Sequence, residues 1–284
     1  MTTEIEPPLL TVIVAVFNGQ ATIQQCINSV AQQTYPRKEL IIIDGGSKDG
    51  TADFLKLNNE KISYWISEPD QGIYHAWNKG LEHAQGEWIC FLGADDQFAD
   101  IHVLQNVEEK LESSYPEYKI IYGQVKMINA LGAEIAQLGA HWNKVKNRFL
   151  NGTYCLPTPG VFHHRSVFSD YGKFDQSYVI AGDYELLLRV LRTSNPLYLP
   201  DITITFMQQG GISSRPESAL ISLREMAKAR RKHGKSLFNI GLYVAFFRAY
   251  ARITMWYLLG EKLTRLLLDM GRGILGKPRY WTKH

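Results

Sequence analysis

Trp88-Ile89-Cys90-Phe91-Leu92-Gly93-Ala94-Asp95-Asp96 is the stretch that decides the fold. An apolar run of strand length stops abruptly at two adjacent carboxylates. A buried strand that empties into paired acids is costly unless something cationic meets them. In an α/β sheet the carboxyl ends of the strands are also where ligands usually bind. A divalent metal carrying phosphate oxygens would satisfy both acids.

Upstream, strand and helix signals alternate. Thr11-Val12-Ile13-Val14-Ala15-Val16 reads as a buried strand. Ile23, Cys26, Ile27 and Val30 then recur at the i, i+3, i+4, i+7 spacing of an amphipathic helix. Glu39-Leu40-Ile41-Ile42-Ile43 is a second strand, closed by the turn-rich Asp44-Gly45-Gly46-Ser47-Lys48-Asp49-Gly50. Ile62-Ser63-Tyr64-Trp65-Ile66 is a third, leading into Glu68-Pro69-Asp70-Gln71-Gly72. A helix with Ile73, Ala76, Trp77 and Leu81 on one side joins it to the opening strand. Strands separated by helices predict an α/β fold with a mostly parallel, doubly wound sheet and right-handed crossovers.

Beyond residue 115 the pattern changes. Lys119-Ile120-Ile121-Tyr122 and Val125-Lys126-Met127-Ile128, with a glycine between, predict short antiparallel strands. Gly182-Asp183-Tyr184-Glu185-Leu186-Leu187-Leu188-Arg189 starts a helix whose first turn carries acids, where the dipole favours them.

The net charge of +3 conceals a polarity. Residues 215–284 hold 15 Lys and Arg against 4 Asp and Glu, whereas residues 1–214 hold 16 against 24. An acidic body therefore precedes a basic tail, and the tail calls for an anionic partner. The tail reads as helical, and segment 237–268 is rich in Phe, Tyr, Leu and Trp but interrupted by Arg248, Arg252, Lys262 and Arg265. On one continuous helix these four cations fall within about a third of a turn of one another, although Gly260 is a candidate break. A basic face opposite an aromatic one describes either a helix lying in an anionic membrane interface or a helical hairpin packed on the core. The chain lacks an apolar run of about 18 residues and a secretory leader pattern. The odd set Cys26, Cys90 and Cys155, without a CxxC pair, points to reduced thiols. The expectation is a cytoplasmic protein, or one peripheral on the cytoplasmic face of the inner membrane.

Neither GxGxxG nor GxxxxGK[ST] occurs, which counts against a dinucleotide dehydrogenase and a P-loop NTPase. Instead Asn18, Asp44 and Asp95-Asp96 end successive strands and gather at one sheet edge. There Asp44 suits hydrogen bonds from a base or a ribose hydroxyl. His163-His164 sits in a strand, where neighbouring side chains point to opposite faces, so the two cannot chelate one metal.

At these residues the chain resembles the family 2 glycosyltransferases of the GT-A fold, of the kind that build bacterial surface polysaccharides. Segments 11–18, 41–51, 68–80 and 86–96 resemble that family's successive motifs. Gly72-Ile73-Tyr74-His75-Ala76-Trp77-Asn78-Lys79-Gly80 is similar to its G-x-x-x-A-x-N-x-G helix, and Gly93-Ala94-Asp95-Asp96 to its DXD motif, with Ala94 where the first acid often stands. The resemblance spans about residues 10–210, as a catalytic domain over 1–214, followed by a basic amphipathic helical tail over 215–284.

The resemblance implies an inverting enzyme that moves a sugar from a nucleotide-diphosphate donor, a UDP-sugar first among them, to a hydroxyl of a glycan or lipid-linked acceptor. It implies Mg²⁺ or Mn²⁺ as cofactor. Phe17, Asn18 and Asp44 would line the nucleotide pocket, Asp95 would meet the ribose or donor sugar, and Asp96 would ligate the metal. Asp183 would be the general base, while Glu185, about 200° further round the helix, faces elsewhere. Gln208-Gln209-Gly210-Gly211-Ile212-Ser213-Ser214 resembles a segment that closes over the donor diphosphate, or is a plain linker. The role of His75 stays open. The rival readings are a nucleotidyltransferase of related architecture and a non-catalytic glycan- or partner-binding module. Against the first, the Phe17-Asn18-Gly19-Gln20 loop carries no Lys or Arg for a triphosphate. Against the second, all four acids are present. The acidic body also argues against nucleic-acid binding.

Overall fold

A computed structural model describes residues 6–210, 216–236 and 238–283. Among them nine strands form one sheet in the order Tyr64–Ser67, Lys38–Asp44, Leu10–Val16, Trp88–Gly93, Val161–His164, Ile120–Ile128, Leu197–Gln208, Gln97–Phe98, with Glu134–Leu138 paired to Ile120–Ile128. Its first half is the alternating unit expected. β1 (Leu10–Val16), α1 (Gln20–Ala31), β2 (Lys38–Asp44), α2 (Thr51–Leu57), β3 (Tyr64–Ser67), α3 (Ile73–His83) and β4 (Trp88–Gly93) follow in turn, and these four strands are parallel.

Period-2 alternation splits the strand side chains between two cores. Ile13, Ile41, Ile43 and Phe91 point to one face, where Trp77 of α3 meets them; Val12, Val14, Ile42 and Leu92 point to the other, against Ile23, Ile27 and Val30 of α1. Each fully buried Val, Ile or Leu contributes about 1.5–3 kcal/mol, so the continuous apolar strands supply much of the stability. α3 lies close on the sheet because Gly80 is there: a Cβ would stand 2.6 Å from Ile13 Cγ2.

After β5 (Gln97–Phe98) and α4 (Val103–Ser114), antiparallel pairing appears. β6 (Ile120–Ile128) pairs antiparallel with β7 (Glu134–Leu138) and with β8 (Val161–His164). The two short strands expected at 119–122 and 125–128 are thus one strand, which runs through Gly123. Its backbone lies against β9 (Leu197–Gln208), a parallel partner, so closely that a Cβ at Gly123 would fall 2.6 Å from Ile204 Cγ1. The register shifts on either side of Gln124 absorb the irregularity without ending the strand.

α5 (Trp142–Leu150), α6 (Ser166–Tyr171) and α7 (Gly182–Leu191) join the same core as α3. α8 (Pro216–Lys232) joins them too, with Ala229 fully buried. α9 (Ile240–Ile274) turns back along α8, where Tyr250 Oη accepts from Arg224 at 3.2 Å and Tyr257 Oη donates to Glu217 at 2.8 Å. At Gly260 the backbone turns to φ 76° and ψ 167°, and α9 breaks into two segments. The single cationic face expected across Arg248, Arg252, Lys262 and Arg265 therefore does not form. Arg252 and Arg265 instead lie over the Trp281 and Trp256 rings at 5.2 and 5.6 Å. No helix among the described residues is long and apolar enough to cross a membrane.

Candidate active site at the carboxyl edge of the sheet

Register places the acids. Val16 pairs with Asp44, Ala15 with Gly93, and Asp44 with Ser67, so β1, β2, β3 and β4 finish at one level. The loops that follow meet there. Asn18 takes a left-handed φ of 50°; its N–H donates to Ser47 Oγ at 2.7 Å, and its Oδ1 accepts from Lys48 N–H at 2.9 Å. The Asn18 side chain thus stitches the loop after β1 to the loop after β2.

Asp44 is fully buried. It accepts from Ser47 N–H at 3.1 Å, from the Ser47 hydroxyl, and from the Ser67 hydroxyl at 2.5 Å. Three of about four acceptor positions on the carboxylate are therefore used within the fold. Beside it Phe17 is 67% exposed. A Cβ at Gly45 would stand 3.3 Å from Phe17 Cδ2 and 2.7 Å from Asp70 Oδ2, so these two side chains border a slot that only glycine leaves open. Asp70 escaped the sequence reading because nothing in Glu68-Pro69-Asp70 marks it beyond following a strand.

Asp95 and Asp96 converge. A Cβ at Gly93 would lie 2.8 Å from Asp95 Oδ1 and 3.1 Å from Asp96 Oδ2. Asp96 is buried and accepts from Gly93 N–H at 2.9 Å. Burial, and then the neighbouring Asp95 charge, push the Asp96 carboxyl up to about 7; burial also raises Asp95. Among the described residues no Lys or Arg forms an ion pair with either. Two crowded, partly desolvated carboxyls without a cation fit a divalent metal, which Asp96, the deeper of the two, would hold. No group of three or more His, Cys, Asp or Glu that could hold a metal occurs among the described residues, so phosphate oxygens and water would complete the coordination.

Asp183 reaches the same edge by a different route. β8 runs antiparallel to β4, with Cys90 opposite Phe162 and Trp88 opposite His164. The turn Thr158–Gly160 just before β8 therefore lies at the carboxyl end of β4. Thr158 donates its hydroxyl to Asp183 Oδ2, and Tyr184 N–H donates to Oδ1 at 2.7 Å. Tyr74 Oη lies 3.4 Å from the same Oδ1 and donates to Ile180 O at 2.7 Å. Burial raises the Asp183 carboxyl, against the opposing pull of these donors. Thr158 and Tyr74 are partners that the sequence reading did not single out. Tyr74 lay inside the Gly72–Gly80 motif, but nothing local marked Thr158.

Glu185 turns the other way, as its helical position required. It is fully buried and pairs with Arg189 at 2.9 Å, Lys232 at 3.0 Å and His233 at 2.8 Å. His163 packs edge-on against Phe91, whereas His164 stacks on Tyr115 with ring centroids 3.7 Å apart. Burial pulls both imidazoles down to about 4, which keeps them neutral packing groups on opposite faces. His75 Nδ1 accepts from Gln71 N–H at 3.0 Å and caps the turn into α3. Of the segment expected to close over a diphosphate, residues 211–214 lie outside the described residues.

Known proteins resemble this chain in sequence and in fold. The profile of the family described as "Glycosyl transferase family 2" matches residues 11–171. An uncharacterized glycosyltransferase of Mycobacterium tuberculosis is 30% identical over 249 residues, covering 86% of this chain and 93% of its own. A PGL/p-HBAD biosynthesis glycosyltransferase of Mycobacterium bovis is 27% identical over 214 residues, covering 73% and 80%. Among solved structures, S. aureus TarS 1-349 in complex with UDP-GlcNAc superposes with a TM-score of 0.60 at 19% identity, covering 78% of this chain and 66% of that one. The mannosyltransferase PcManGT of Pyrobaculum calidifontis, in complex with GDP-Man and Mn²⁺, superposes with a TM-score of 0.61 at 17% identity, covering 98% and 85%. These superpositions give the sheet and its helices the GT-A fold. With the profile spanning more than half of its length, the chain belongs to glycosyltransferase family 2.

Proposed function

We propose that the protein transfers a sugar with inversion from a nucleotide-diphosphate donor, a UDP-sugar first among them, to a hydroxyl of a glycan or lipid-linked acceptor in polysaccharide biosynthesis. One observation carries the reading: Asp44, the Asp95-Asp96 pair and Asp183 come from separate parts of the chain to one edge of the sheet. Phe17 and Asp44 border the nucleotide, with Asn18 holding their two loops together. Asp95 faces the ribose or donor sugar. Asp96 would hold Mg²⁺ or Mn²⁺, which when bound offsets the charge that builds on the departing diphosphate.

Asp183 is the general base. As the acceptor oxygen attacks the anomeric carbon, its proton passes to an Asp183 carboxylate oxygen. The new C–O bond forms opposite the breaking bond to the diphosphate, and the nucleoside diphosphate leaves. The raised affinity of Asp183 for a proton strengthens it for this task. Residues 1–214 supply this chemistry, and the basic residues 215–284 hold the body to an anionic membrane at its cytoplasmic face.

A panel of nucleotide sugars, each with Mg²⁺, Mn²⁺ or EDTA and scored for nucleoside diphosphate release, tests the reading. Metal-dependent release from one donor class is expected. Absence of both release and binding for every donor would overturn it.

A further inference from the structure

The α8–α9 hairpin carries an outer face that the catalytic chemistry does not use. In the first segment of α9, Ile240, Tyr243, Phe247, Tyr250, Tyr257 and Leu258 fall within an arc of about 100°. All are solvent-exposed, Phe247 by 74% and Leu258 by 77%. After the Gly260 break, Leu263, Leu266, Met270 and Ile274 repeat the pattern, with Ile274 86% exposed. An apolar stripe this long is far more than scattered surface hydrophobes, and such stripes mark interaction faces.

The opposite side of α9 is already occupied. Asp269 accepts from the N–H groups of Tyr280, Trp281 and Thr282 at 2.8–3.0 Å, holding the C-terminal segment beneath the helix. Arg272 lies over the Tyr280 ring at 5.4 Å, as Arg252 and Arg265 lie over tryptophans. These cations face inward, so the apolar stripe is the side left for a partner.

The chemistry beside the stripe chooses that partner. Arg224 and Arg231 stand two turns apart on α8, exposed, and line a shallow hollow of about 510 Å³ with Ala227, Lys228 and Lys232, the two lysines being held on Ser177 Oγ at 2.9 Å and Asp175 at 2.8 Å. The Arg224–Tyr250 hydrogen bond makes this cationic row and the apolar stripe neighbours along one edge. Arg248, also exposed, borders the stripe on its other flank. We propose that this composite face, an apolar ridge between cationic margins, docks on an anionic lipid bilayer, with the α9 ridge at the acyl boundary and the α8 row on the headgroups. The proposal rests on the membrane reading above and gives it a surface. A helix too polar to span but strongly one-sided lies in the interface plane, and each basic residue near an anionic surface adds to its hold. A second copy bound through this face by two-fold symmetry would bring two cationic rows into one interface, which disfavours it.

The test is flotation of the full chain with phosphatidylcholine vesicles, with and without phosphatidylglycerol, alongside donor hydrolysis and sedimentation of the same samples. Co-flotation is expected with the anionic vesicles and at least tenfold less with neutral ones. The pair Phe247→Ser with Leu258→Ser, and separately Arg231→Glu with Arg248→Glu, should each reduce bound protein at least tenfold while leaving donor hydrolysis and the melting temperature near wild type. No flotation of the wild-type chain, or wild-type flotation of either pair, overturns the proposal. So does a stable dimer that the Phe247 and Leu258 changes dissociate without any vesicle binding. A chain that floats but hydrolyses no nucleotide sugar defeats the transferase reading and leaves the docking face standing.

Discussion

The Glu225 carboxylate accepts the backbone N–H of Ala181 at 2.8 Å, together with those of Ile180 and Val179 at 2.9 and 2.7 Å. Ala181 is the N-cap of α7, two residues before Asp183, so a side chain from α8 fixes the entry to the helix that carries the base. Glu225→Ala would leave three N–H groups without their acceptor, at a cost of about 2 kcal/mol or more of stability. It should also lower kcat roughly tenfold to a hundredfold through misplacement of Asp183. The donor KM should stay within about twofold, since uniform binding is untouched. Faster hydrogen exchange at 179–181, with partial rescue by Glu225→Gln, would separate positioning from general instability. Unchanged kcat would refute the role.

Asp183→Asn removes the proton acceptor while keeping the side-chain shape. Turnover should fall by about 10²–10⁴-fold with donor affinity retained. Because burial raises the Asp183 carboxyl, the acidic limb of the wild-type pH–kcat profile should lie above the ordinary carboxylate range. Activity falls there as pH drops and Asp183 takes up its proton. Stopped turnover assays across pH, with donor binding measured separately, check both points.

Gly93→Ala places a methyl between the Asp95 and Asp96 carboxylates, 2.8 and 3.1 Å from their nearest oxygens. The acids are side-chain ends and can yield, so the fold should survive with a stability change of about 1–3 kcal/mol. Their convergence should not. Mn²⁺ affinity in the presence of the nucleoside diphosphate should drop at least about tenfold, a level typical of disturbed metal-ligand support. Calorimetric titration of wild type and variant decides it.

Asp96 makes the metal-free protein sensitive to alkali. Its folded carboxyl titrates near 7, against about 3.9 in an unfolded chain. Between those values the native state binds more protons than the unfolded one, so stability falls as pH rises from about 4 to about 7 and then levels off. At about 1.4 kcal/mol per tenfold, the loss across that range is on the order of 4 kcal/mol. Asp96→Asn should flatten this slope, and urea unfolding in EDTA at about pH 5 and about pH 8 measures it. In the wild type a divalent ion with nucleotide displaces the proton and should restore stability at the higher pH.

Much of the site was legible in the residues. The apolar run ending at Asp95-Asp96, the three strands before it and the Asp183 helix all depend on local periodicity, which the chain carries without reference to its tertiary partners. Packing overruled that signal at β6: a glycine that reads as a break sits inside one strand because β9 needs the space. The same holds for α9. Its four cations share a face only on a straight helix, and Gly260 removes that condition.

By itself, then, the sequence determined which residues end strands and which start helices, and hence which acids could meet at the sheet edge. The tertiary structure alone decided their company. Thr158 and Tyr74 on Asp183, Asp70 opposite Phe17, and Glu225 beneath the loop before α7 lie 25, 109, 53 and 44 or more residues from those partners. Pairings that distant come from sheet register and helix packing, and no local pattern encodes them. The Asp95-Asp96 pair followed the same division: adjacency was written in the chain, but the convergence on Gly93 that suits the pair to a cation came from the turn between β4 and β5.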